Sequence, residues 1–309
     1  MTNLFDVREA SFDGAAVPGE LKGREWDLAV IGDGGIDQRS EAACAYGKEH
    51  ASTCFQLGYS VEDRMLLLDG TKAKYGALRS RLHGCKRLLI EATSLNCPEI
   101  INLLRSVREE RVEQVSFLYL EPSEYRRTIQ GRLSDYRDFD LSNNSRFQSI
   151  HGFMTDMSNL PPGQAVFFLG FEKARLAQAF EQEEALQLWQ SHAVIGIPAF
   201  EPAWEIDTIS NNINQLATRD YVFQYCAASS VDAAYLLLVR LLNEDKGGNS
   251  VLVAPLGTKP HTIAASLFVA EHNSYDRAVL LYDHPQRRSG RSYNIRKWHL
   301  YDVDVAVQR

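Results

Sequence analysis

Short runs of nearly unbroken apolar residues recur along the chain at 28–32, 87–93, 115–120, 165–170, 193–198, 251–256 and 278–283. They do not alternate with polar residues, which is how strands covered on both faces of a sheet read. Between many of them lie helical patterns, over 98–108, 172–190, 231–243 and 260–272. Strand and helix in alternation predict βαβ units. The expected fold class is α/β, with two Rossmann-like halves and mostly parallel sheets.

A polar, turn-rich stretch over 134–162, containing "LSNNSRF" and ending "NLPPGQ", reads as a linker. It sets an expected division into domains 1–158 and 159–309. The halves share a grammar. "DLAVIGDGGIDQRSEAA" is matched by "QAVFFLGFEKARLAQAF", "RLLIEATSLNCPEIINLL" by "SVLVAPLGTKPHTIAASLF", and "VSFLYLEP" by "AVLLYDHP". An internal duplication would produce this, and so would any two Rossmann-like halves.

Composition narrows the class. The chain has 309 residues, 45% apolar and 24% charged, with a formal net charge of −7. A sizeable core is expected, and the acidic balance argues against a dedicated nucleic-acid binder. The five cysteines, Cys44, Cys54, Cys85, Cys97 and Cys226, have no C-x-x-C pairing, which fits reduced thiols in the cytoplasm. The opening "MTNLFDVREASFDG" carries acids and lacks an apolar run, so no secretory leader is expected. No window approaches the roughly 20 apolar residues of a membrane helix.

The most informative stretch is "VLVAPLGTKPHTIAASLFVAEH". Pro260 suits the first turn of a helix, where its missing N–H is no loss. Gly257 or Thr258 can cap that helix, and its amide end favours an anion. Gly257 allows close backbone approach, Thr258 offers a hydroxyl and Lys259 a mobile positive charge. This turn falls beyond the carboxyl end of a strand, where open α/β sheets bind ligands. It therefore reads either as a phosphate or nucleotide cradle, or as an ordinary strand-to-helix turn with its lysine in solvent. It is not a Walker A loop.

An apolar strand, "PLGTKP", a small-residue helix and then "AVLLYD" resemble the CRISPR-associated Rossmann-fold sensors, or CARF domains, over 250–283. In that family a Gly-Thr-Lys turn contacts cyclic oligoadenylates at a twofold dimer interface. The resemblance implies ligand contact by Gly257, Thr258 and Lys259. Leu256 stands where the family often has a second glycine, and the separate effector domain usual in CARF sensors has no room in this length. If the halves are duplicates, one chain would form the pseudo-twofold site internally, with Thr93, Ser94 and Asn96 facing Lys259 across it.

Other stretches carry candidate chemistry. In "GDGGIDQRS", Gly34, Gly35 and Arg39 form either a phosphate-binding loop or a turn shaped by an Asp37–Arg39 pair. Glu172 and Arg175 have the same choice. "GIPAFEPAWEIDTISNN" predicts a rigid projecting loop. There Phe200 and Trp204 would stack on a base or pack on their own domain, Glu201, Glu205 and Asp207 are candidate acids or metal ligands, and Asn211 and Asn212 suit polar edges. "HPQRRSGRSYNIRKWH" is a basic cluster with aromatics, spanning Arg287, Arg288, Arg291, Arg296 and Lys297. It would grip phosphate or nucleic acid, or form a solvated hairpin. No G-x-S-x-G or H-E-x-x-H motif occurs. Cys97 at a helix start and His261 beside Lys259 are weaker candidates for chemistry than for structure.

The expected function is nucleotide binding or sensing, as a subunit of a prokaryotic defence or signalling system, with a phosphorylated nucleotide-like ligand and a protein partner or second copy. Nucleic-acid binding through 287–298 is not favoured, and neither a metal nor a resident cofactor is expected. One alternative is an enzyme of nucleotide or phosphosugar chemistry, using Asp33, Asp37 or Glu201 with magnesium. Another is a scaffold subunit with no small ligand.

Overall fold

The computed structural model describes residues 4–125, 142–143, 146–244, 250–273, 277–287 and 290–306. In chain order the elements are β1 (Phe5–Asp13), β2 (Trp26–Ile31), α1 (Gln38–His50), β3 (Ala51–Ser60), β4 (Met65–Leu68), β5 (Thr71–Ala73), α2 (Tyr75–Leu82), β6 (Arg87–Glu91), α3 (Cys97–Glu110) and β7 (Gln114–Tyr125). There follow β8 (Ser142–Asn143), β9 (Gln164–Phe168), α4 (Lys173–Gln182), β10 (Gln190–Gly196), α5 (Trp204–Leu216), β11 (Tyr221–Cys226), α6 (Val231–Glu244), β12 (Val251–Pro255), α7 (Lys259–His272), β13 (Ala278–Leu280), β14 (Gln286–Arg287) and β15 (Ser292–Val305). The fold is α/β, as the apolar runs require, and each of those seven runs contains a strand of a parallel ladder.

The chain packs as two compact units, Met1–Tyr125 with Ser292–Arg309, and Arg126–Arg291. This division differs from the expected 1–158 and 159–309. The reason is β15, which pairs antiparallel with both β1 and β7 and so belongs to the first unit.

The first unit holds an eight-stranded sheet in the order β1-β15-β7-β6-β2-β3-β4-β5. β7, β6, β2 and β3 pair in parallel; β15 and β4 run against them, and β1 and β5 pair antiparallel with those two at the edges. The sheet is therefore mostly parallel in strand direction, with antiparallel pairing at its two edges. Trp26, Tyr46, Leu118 and Trp298 share one core cluster, and Tyr46 meets Trp26 and Trp298 edge-on at 5.9 and 5.8 Å. The predicted basic hairpin thus ends in a core strand: Trp298 is buried, Arg296 lies 3.6 Å from Glu121 and Lys297 3.4 Å from Asp13. Arg288 lies outside the described residues.

The second unit holds a fully parallel five-stranded sheet in the order β11-β10-β9-β12-β13. Helix α4 packs on α5, and α6 on α7. Two expectations change here. The helix foreseen over 172–190 stops at Gln182, because Glu183 leaves helical geometry (φ −125°, ψ 85°) before a short 3-10 turn. The loop foreseen over 196–212 shrinks, because Trp204, Thr208, Asn211, Asn212 and Leu216 recur at three- and four-residue spacing and bury one face of α5.

The matched segments occupy matched places. In each unit the first parallel strand (β2, β9) is central, the second (β3, β10) lies on one side, and the last two (β6 with β7, β12 with β13) lie on the other. Each therefore has a topological switch point beside its central strand, where open α/β sheets take ligands.

Candidate functional site

In the second unit the switch point lies between the turns that follow β9 and β12. A Cβ on Gly170 would stand 2.5 Å from the Leu256 carbonyl oxygen, and one on Gly257 would stand 2.6 Å from that of Leu169. Glycine is required at both positions because one turn's backbone rests on the other's. Gly257 thus serves backbone packing, where the sequence suggested approach to a ligand.

Hydrogen bonds lace the surrounding turns together. Thr258 caps α7 in extended geometry, and its hydroxyl donates to the Ala228 carbonyl at 2.7 Å. The Ala228 N–H donates to the Pro198 carbonyl at 2.9 Å. Asn212 donates to the Gly170 carbonyl at 2.9 Å. Arg175 donates to the Leu256 carbonyl at 2.6 Å and to both oxygens of Asp283 at 2.5 and 2.6 Å. The Glu172 carboxylate is more distant, 3.8 Å from Arg175, so the i, i+3 pairing is the minor one. Burial works against charge on Arg175, but Asp283 outweighs it and raises the pKa further.

Lys259 begins α7 and is half-buried. Trp204 is buried against Phe171, edge-on at 5.6 Å, and Phe200 is half-buried in the turn before it. Trp204 therefore packs on its own unit. His261 is fully buried and is no surface histidine. Its Nε2 lies 3.1 Å from the Ala227 carbonyl and 3.4 Å from Cys226 Sγ. Burial pushes the imidazole down to about 4, partly offset by the Ala227 hydrogen bond, and pushes the Cys226 thiol up to about 12. These are the wrong directions for a thiolate–imidazolium pair. Arg291 is the last residue of this unit.

The first unit's switch point is built in parallel. A Cβ on Gly32 would meet Ser94, the counterpart of Leu256. Glu91 is fully buried. Its carboxylate accepts from the Ser94 hydroxyl, from the Ser94 N–H at 3.0 and 3.2 Å, and from the Gly32 N–H at 3.4 Å. Thr93 Oγ1 accepts from the Leu120 N–H at 3.0 Å. Asn96 caps α3, and Glu99 accepts from its N–H at 3.1 Å. Cys97 is fully buried.

The glycine loop is equally committed. Gly35 N–H donates to the Asp33 carboxylate at 2.9 Å, and Gly34 sits against Cys44. Asp37 caps α1 through the Ser40 N–H at 2.9 Å. Arg39 is buried and donates to Asp37, Ser292 Oγ and the Leu120 carbonyl at 2.7, 2.7 and 3.0 Å. Burial opposes charge on Asp37, yet the Arg39 charge and the Ser40, Arg39 and Ser292 hydrogen bonds bring its pKa down to about 2. Arg39 and Asp37 shape a turn, the second of the two roles the sequence allowed.

A cavity of about 410 Å³ lies elsewhere in the second unit, lined by Phe147, Gln148, Asp156, Glu183, Leu281 and Tyr282 among others. It has two carboxylates and no lysine or arginine, which suits no phosphate. Among the described residues, no group of three or more His, Cys, Asp or Glu side chains is placed to hold a metal ion, and no helix is long and apolar enough to cross a membrane. No family model matches the chain, and no curated protein matches it.

Proposed function

We propose that the second unit is a nucleotide-sensing module that takes a phosphorylated, nucleotide-like molecule over the start of α7. The carrying observation is the placement of Lys259 at the first position of a 14-residue helix, beside the switch point of a doubly wound parallel sheet. Support also comes from the laced turns beneath it. A frame fixed by Arg175, Asn212 and Thr258 does not have to be ordered when a ligand arrives. The CARF-like "GTKP" turn suggests the ligand class and a role in a prokaryotic defence or signalling complex, working in the cytoplasm with a protein partner or second copy.

The enzyme alternative is the weaker one. Asp37, one of its acids, is spent on Arg39, Ser40 and Ser292, and burial holds the Cys44, Cys85 and Cys226 thiols up at about 12. Mass spectrometry of small molecules released from the purified protein tests the proposal. A nucleotide-like phosphate ester is expected. Its absence, together with no binding of linear or cyclic nucleotides, would refute it.

A further inference from the structure

Three residues far apart in sequence form a continuous hydrogen-bonded chain in the first unit. Ser11 on β1 and His299 on β15 are directly opposed across the antiparallel ladder, with Ser11 Oγ 2.8 Å from His299 Nδ1. His299 Nε2 lies 2.8 Å from Glu121 Oε2 on β7. Glu121 and His299 are each 2% exposed, whereas Ser11 is exposed.

The order of groups suits one tautomer of a neutral ring. A carboxylate only accepts, so Nε2 carries the ring proton toward Glu121 and Nδ1 is left as an acceptor. The Ser11 hydroxyl then donates to Nδ1. Two tyrosine rings lie nearly parallel to the imidazole, Tyr119 at 5.8 Å across the ladder and Tyr301 at 6.1 Å along β15. The second Glu121 oxygen is 3.6 Å from Arg296 Nε. A hydroxyl on a base, with the base on a buried acid, is the order of groups that activates a serine, here with the two ring nitrogens exchanged relative to the serine-protease triad.

We propose that Ser11 is an activated nucleophile, with His299 as its general base and Glu121 as the positioning residue, acting on accessible activated esters. The Ser11 proton passes to His299 Nδ1 as Oγ forms a bond to the acyl carbon. The bond to the leaving oxygen breaks, and that oxygen takes the proton back from His299. Water then cleaves the acyl-serine, giving its proton to the same nitrogen, and the free acid and Ser11 are restored. Among the described residues β1 ends the sheet with β15 as its one strand neighbour, so alternate residues turn their N–H groups away from β15, the direction from which an oxyanion would be met.

A fluorophosphonate probe on the intact protein, followed by peptide mapping, tests this. Labelling at Ser11 is expected. It should vanish in Ser11→Ala and slow about 100-fold in His299→Gln, and Ser11→Ala should also lose hydrolysis of p-nitrophenyl acetate. Because His299 is buried, Ser11→Cys, altered only at the surface, provides a second measure. Its thiol should alkylate with iodoacetamide faster than the unfolded chain's thiols at neutral pH. For Glu121→Gln, the labelling rate should fall while the melting curve still shows a folded protein, and Glu121→Asp should restore part of it. No labelling of Ser11 in the folded wild type, or equal rates in wild type and folded His299→Gln, would overturn the proposal.

Discussion

Arg175 and Asp283 are joined by two hydrogen bonds of 2.5 and 2.6 Å inside the second unit. Arg39 makes the matching reach in the first, to the backbone oxygen of Leu120. Counting back from the proline of "LEP" and "DHP", Leu120 and Asp283 hold the same place. Each arginine, at the head of the helix after the central strand, thus ties down the segment just past the parallel pairing of the unit's last parallel strand. Removing one partner of a buried charged pair leaves the other uncompensated. Arg175→Ala should therefore cost about 3–5 kcal/mol in urea unfolding, and the double change Arg175→Met with Asp283→Leu should cost less than the sum of the singles. A loss below about 1 kcal/mol, the scale of an exposed pair, would mean that the pair is not what holds the turn.

The contact between the turns of Gly170 and Gly257 makes opposite predictions for different glycines. Gly257→Ala would push a methyl onto the Leu169 carbonyl and should destabilise by about 1–3 kcal/mol. Gly76, in the first turn of α2 with nothing within 4 Å of an added Cβ, should gain stability as alanine, by up to about 0.5 kcal/mol. Chemical denaturation of the two variants side by side decides it.

Acid should weaken the protein in two stages. His261 sits near 4 in the folded state against 6.5 for the free side chain. The unfolded chain therefore binds a proton that the folded chain refuses, and stability falls as pH drops from about 6.5 to 4. Asp37 sits near 2 against 3.8, so its contribution is present above 3.8 and is lost as pH falls toward 2. His261→Phe should flatten the first stage and leave the second. Denaturant midpoints measured across pH 3–8 separate them.

The sequence was legible where both faces of a strand are covered. β6, β9 and β12 carry apolar runs because, past the first residue of β6 and of β9, every position in them is buried. β1, β11 and β15 went unread because their burial is mixed, with Phe223 and Tyr225 exposed on β11 and Arg296 and Lys297 interrupting β15. The turn after β12 was legible in position, while the partners of its residues were not. Gly257, Thr258 and Lys259 do lie at a switch point, but glycine and threonine there serve neighbouring turns. Local spacing pointed Arg175 at Glu172. Its main partner, Asp283, is 108 residues away and carries no local signal. The same holds for Ser11, Glu121 and His299, which only strand pairing brings together.

The phosphate site over α7 is tested most directly by calorimetric titration of linear and cyclic nucleotides into wild type and Lys259→Ala. The wild type should bind at least one of them, and the variant should lose about 1.5–3 kcal/mol of binding free energy, the scale of a charged hydrogen bond, with its melting temperature unchanged. Equal affinity in the two proteins, or no heat from either, would contradict it.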